Sequence, residues 1–152
     1  MKLITHGCRG SIPISSGKMM KYGGNTTCFE LVTDEFQIFF DTGSGFQNAI
    51  LNPNKDILVL FSHFHHDHLQ GLAFNKYLLK PETKTFISSA LVNSEELNKI
   101  VRRYFSGVFF PLDLFDNLDN VTFLNFSEAQ RTVKGGLNLS LIHISEPTRQ
   151  VL

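Results

Sequence analysis

A chain of 152 residues is one domain by length and can bury a modest core. Lysine plus arginine equals aspartate plus glutamate at 14 each, so no net field draws the protein toward nucleic acid or a membrane, and charge gives a nucleic-acid substrate no support. An apolar content of 42% is ordinary for a globular α/β protein and speaks against disorder over most of the chain. Met1 to Thr5 enter directly into a strand-like segment, and no apolar stretch approaches the length of a bilayer span, so a cytoplasmic protein without a membrane partner is expected. Cys8 and Cys28 are too few for a disulfide framework and read as packing or loop residues.

In chain order, Leu3 to His6 form an opening strand, and Gly7, Gly10, Pro13 and Gly17 break the loop that follows. Arg9 in that loop either meets an anionic substrate or braces the loop through backbone carbonyls, and bracing is the preferred reading. Gly23-Gly24-Asn25 turns the chain into a strand from Thr27 to Val32. A polar turn at Thr33-Asp34-Glu35 then leads to a second strand from Phe36 to Phe40, which makes a β-hairpin. Asp41 ends that strand as a cap or turn former, and Phe46, Ala49 and Ile50 are spaced for a short helix. After Pro53-Asn54, the apolar run from Ile57 to Phe61 reads as a buried central strand.

That strand delivers His63-Phe64-His65-His66-Asp67-His68. Side chains two apart on extended chain point the same way, so His63 and His65 reach one ion together. Asp67 and His68 follow once the chain has turned and are placed to hold a second. Imidazole with carboxylate suits Zn²⁺ first, with Fe or Mn²⁺ as options, and two such sites side by side suggest two-metal hydrolysis. A histidine-rich tract can also be a solvated loop. Here spacing, residue type and position after a buried strand agree on a metal site. His66 is read as a wall or surface residue that points away from its neighbours.

Beyond the motif, Leu72, Phe74, Tyr77 and Leu78 cover an apolar face, and Lys84 to Ser88 read as a strand. Asn93 and Glu96 have capping-box spacing, and Leu97, Ile100, Val101 and Tyr104 form a core-facing stripe of a helix running to about Phe105. Phe109-Phe110-Pro111-Leu112 is an apolar loop. Val121 to Phe126 and Arg131 to Val133 read as edge strands, with Lys134-Gly135-Gly136 as a hairpin turn.

His63, His65, Asp67 and His68 match in full the signature of the metallo-β-lactamase superfamily, which the chain resembles over about residues 1 to 138. Gly7-Cys8-Arg9-Gly10-Ser11-Ile12-Pro13, Tyr22-Gly23-Gly24-Asn25-Thr26-Thr27-Cys28 and Asp41-Thr42-Gly43 resemble its phosphodiesterase-like and ribonuclease Z-like branch. The resemblance implies an α/β chain forming the N-terminal half of a four-layer αββα sandwich, with a third histidine, a bridging aspartate and a final histidine supplied by the other half. It implies two divalent ions, with His63 and His65 on the first and Asp67 and His68 on the second. Asp67 would also orient the attacking water, and Asp41 would brace the metal loop. The apolar loop from Phe109 to Leu112 would line the cleft or else pack beneath it. The expected substrate is a phosphodiester or another small molecule. A thioester or lactam hydrolase, or a non-enzymatic metal-binding or interaction module, are the rival readings.

Leu139 to Arg149 resembles the translation of a transposase-based sequencing adapter, so residues 139 to 152 are expected to be a non-native tail on a truncated domain. His143 is therefore excluded as the third histidine ligand, although the alternation of Leu137, Leu139 and Leu141 would suit a strand. With the second half of the sandwich missing, one apolar face of the sheet is expected to lie uncovered, and the fragment to aggregate and be inactive.

Overall fold

The computed structural model describes residues 1–111 and 113–133. The expected turn at Lys134-Gly135-Gly136, the leucine alternation after it, His143 and the 139–152 tail lie outside the described residues.

Six strands form one mixed sheet in sequential order: β1 (Lys2–Gly7), β2 (Cys28–Val32), β3 (Phe36–Phe40), β4 (Asp56–Phe61), β5 (Thr85–Ser89) and β6 (Val121–Phe123). β1 to β3 are antiparallel, with Phe29 opposite Phe40 and Val32 opposite Gln37 across the expected hairpin. From β3 onward the pairing is parallel, with Phe39 beside Val59 and Val59 beside Ile87, so β4 is central. Each parallel return needs a crossover. α1 (His66–Leu69) with a following single turn carries the chain from β4 to β5, and α2 (Ser94–Tyr104) carries it from β5 to β6.

The central strand is apolar on both faces because both are covered. Ile57, Val59 and Phe61 point into a cluster with Phe39, Phe46, Leu97 and Val101, while Leu58 and Leu60 point the other way to Phe36, Ile38, Ala129 and Val133. α2 follows its amphipathic pattern. Asn93 Oδ1 accepts from the Glu96 N–H at 2.9 Å, and Leu97 and Val101 are fully buried.

Three expectations are corrected. The segment read as a strand around Arg131 to Val133 is a helix, α3 (Phe126–Thr132), and the edge strand before it stops at Phe123. Asn125 and Glu128 form a reciprocal capping box that starts this helix, a local preference that outweighs β-branched residues at its end. The turns after Asp41 are 3-10 helix over Ser44–Asn48, which bury Phe46 but leave Ile50 66% exposed. The sheet face expected to be bare is occupied: α3 lays Ala129 and Val133 on it, and Ile38 and Leu60 are 0% exposed. Among the described residues no helix is long and apolar enough to cross a membrane.

Candidate metal centre

The site is built where β3 and β4 end side by side. Asp41 follows β3 and has a left-handed backbone at φ 61°, a conformation in which a short polar side chain can bond locally. Its N–H still donates to Leu60 O at 3.0 Å, so the carboxylate turns toward the residues that leave β4. Oδ1 accepts from the Ser62 N–H at 2.8 Å, and Oδ2 accepts from the Ser62 hydroxyl at 2.7 Å and from His68 Nδ1 at 2.8 Å. Asp41 is nearly fully buried, and these three donors stand in for the water that it has lost.

The same bonds set two imidazole tautomers. His68 holds its proton on Nδ1 toward Asp41, which leaves the Nε2 lone pair facing Asp67 Oδ2 at 3.5 Å. The Ser62 hydroxyl has a single hydrogen, given to Asp41, so at 3.0 Å from His63 Nδ1 it accepts. His63 therefore presents its Nε2 lone pair, which faces His65 Nδ1 at 3.1 Å. Ser62, which the motif pattern did not single out, thus links Asp41 to His63. Its signal in the sequence was only its place between the strand and the first histidine.

His65 ends the extended stretch just before α1, while Asp67 and His68 lie within that helix. The His63 ring stands 4.5 Å from the His65 ring and 4.0 Å from the His68 ring. The four residues of the motif are thus brought together as two pairs. Donors on a tetrahedral zinc with bonds of 2.0–2.1 Å are about 3.3 Å apart, and both pairs lie close to that spacing. Nitrogen and carboxylate donors with neutral tautomers fit a divalent ion. Among the described residues, no group of three His, Cys, Asp or Glu side chains forms a cage for a metal.

Burial, then the neighbouring His68 and His65, push the His63 pKa below the ordinary histidine value. Burial also pushes His68 down, but the hydrogen bond and charge of Asp41, helped by Asp67, outweigh it and the net shift is upward. A cation binds the neutral form of either ring, and these opposite shifts favour that form more at His63 than at His68.

The flanking loops close round the motif. The Ser11 N–H, at φ 70°, donates to Asp67 Oδ2 at 2.8 Å, a contact with no signal in the motif itself. Arg9 Nε donates to Ile12 O at 2.8 Å and so braces the Ser11 loop, as the sequence suggested. Thr42 N–H donates to His68 O, and Gly71 N–H donates to Thr42 O, both at 2.8 Å, which clamps α1 against the residues after Asp41. A Cβ on Gly71 would sit 2.0 Å from Gly43 O, so this approach requires glycine. Thr26 Oγ1 accepts from the Ser44 N–H at 2.7 Å, tying the Tyr22 to Cys28 segment to the same loop.

His66 leaves the cluster as expected, and its Nδ1 is hydrogen-bonded to the Tyr104 hydroxyl. A cleft of about 980 Å³ lies there, lined by Phe64 and His66 but by none of the four motif donors. Phe109 and Phe110 both line it. Phe110 packs on the core, as one of the two readings of the apolar loop had it, and Phe109 is exposed, while Leu112 lies outside the described residues.

No protein-family model and no curated protein matches the sequence. Among solved structures, the chain is similar to the metallo-β-lactamase fold protein YhfI from Bacillus subtilis, with 15% identity and a TM-score of 0.51 over 82% of this chain and 45% of that one. It is also similar to a candidate metallo-β-lactamase from Thermotoga maritima, with 17% identity and a TM-score of 0.42 over 82% of this chain and 58% of that one. The chain spans less than half the length of YhfI. Sheet order, the crossovers and the likeness to YhfI together give the conclusion that this chain has the metallo-β-lactamase fold over the part it spans.

Proposed function

We propose that the chain is part of a metal-dependent hydrolase, with a phosphodiester as the favoured substrate of the full-length parent. The observation that carries the reading is the pair of relays from Asp41, direct to His68 and through Ser62 to His63, which leave both Nε2 lone pairs facing the remaining two donors. His63 and His65 would hold one divalent ion and Asp67 with His68 the other, zinc being the first candidate and manganese or iron the alternatives. When bound, such ions supply Lewis acidity, polarising a phosphoryl or carbonyl group and acidifying water.

The chain's own part is preorganisation. Asp41 and Ser62 hold two imidazoles in the ligating tautomer, and Asp67 keeps one oxygen fixed by the Ser11 N–H while lying beside His68. The phosphodiester preference rests on the likeness of the Gly7 to Pro13 and Tyr22 to Cys28 segments to that branch, and on their bonds to Asp67 and to the loop after Asp41. The test is hydrolysis of bis(p-nitrophenyl) phosphate and of a thioester panel by a full-length parent sharing residues 1–138, with and without added Zn²⁺ or Mn²⁺. Metal-dependent cleavage of the diester alone is expected; cleavage of thioesters alone would overturn the preference.

A further inference from the structure

The cleft beyond the metal loop is a site of a different kind from the motif. Phe64, Phe74, Phe109 and Phe110 contribute to its walls with Leu69 and Tyr104. Phe74 meets Phe110 edge-on at 5.7 Å and Phe110 meets Phe105 at 5.5 Å, so the rings form a continuous row from surface to core. Phe74 and Phe109 remain 63% and 70% exposed. At about 980 Å³ the cleft is of the size that takes a small organic ligand.

Its charge is one-sided. Among the described residues that line it, Arg103 is the one lysine, arginine or acid, and no carboxylate faces it. The neighbouring Arg102 is engaged by Asn98 and Asp116, whereas the Arg103 guanidinium has no hydrogen bond or ion pair among the described residues. An aromatic cleft with one unanswered cation at its wall complements a molecule that is apolar over most of its length and negative at one point.

We infer that this cleft binds an amphipathic small-molecule anion, its aromatic or aliphatic body against the phenylalanine row and its carboxylate, sulfonate or phosphate at Arg103. No motif donor lines the cleft, so the inference stands apart from the hydrolase reading. The ligand nevertheless rests on Phe64 and His66, which alternate with the metal donors along the loop.

The experiment titrates the full chain with anionic 8-anilinonaphthalene-1-sulfonate and with uncharged N-phenyl-1-naphthylamine, following fluorescence. Saturable binding of both probes is expected. Arg103→Gln should weaken the sulfonate about fivefold, the worth of one partly exposed ion pair, and leave the neutral probe unchanged. Phe109→Ala should weaken both. Both residues are exposed, and an unchanged urea midpoint shows that each variant is folded. Equal sulfonate affinity with and without Arg103, or fluorescence that never saturates, would overturn the proposal. So would sedimentation showing the cleft closed by a second copy that Phe109→Ala releases.

Discussion

Asp41 and Ser62 do their work through hydrogen count. Asp41→Asn keeps the size and tolerates the left-handed backbone, but an amide offers one acceptor where three donors converge. Calorimetric Zn²⁺ titration should find affinity lowered about 10- to 100-fold, the usual loss when a ligand's hydrogen-bond partner is removed. Ser62→Ala should weaken Zn²⁺ by about tenfold, while Ser62→Thr, which retains the hydroxyl, stays near the parent. Nitrogen-15 spectra of the histidines give a readout independent of metal: His63 should lose its single tautomer in Ser62→Ala and keep it in Ser62→Thr. An unchanged His63 tautomer in the alanine variant would refute the relay. Residue type and spacing alone singled out the four motif residues, whereas the bracing role of Asp41 came only from the family resemblance, its own signal being that of a cap or turn former. Ser62 and the Ser11 N–H were not legible, since each acts through a bond that exists only once β3, β4 and the first loop are adjacent.

At the scale of elements, the clamp on α1 is a backbone-to-backbone approach that leaves no room for a side chain. Gly71→Ala would force a Cβ against the Gly43 carbonyl, backbone against backbone, so it should destabilise by about 2–3 kcal/mol in urea unfolding. Gly10→Ala, with nothing within 4 Å, should be close to neutral. Equal midpoints for the two variants would show the clamp to be loose. The hairpin, the central strand and α2 were legible because local pattern carries each: a polar turn between two strand-like runs, an unbroken apolar run after Pro53-Asn54, and a helical stripe. α3 was misread although its Asn125 and Glu128 repeat the spacing of Asn93 and Glu96. The β-branched residues at its end and the nearby glycines suggested a hairpin, and only tertiary packing of Ala129 and Val133 on β3 and β4 decides otherwise.

Across the whole molecule, β4 joins fold to site: its alternate residues tie two apolar clusters together and its C-terminal end presents the histidines. Leu60→Ala, on the α3 side, should therefore cost about 2–5 kcal/mol and lower metal affinity with it, since Leu60 O also accepts from the Asp41 N–H. The central claim is that the motif holds two ions with about two donors each from this chain. Calorimetric titration of the chain with Zn²⁺ tests it most directly, beside His63→Ala, Asp67→Ala and His66→Ala. The account predicts weak binding that His63→Ala and Asp67→Ala each reduce by one ion and His66→Ala leaves unchanged. Tight binding of two ions, or equal losses in all three variants, would contradict it.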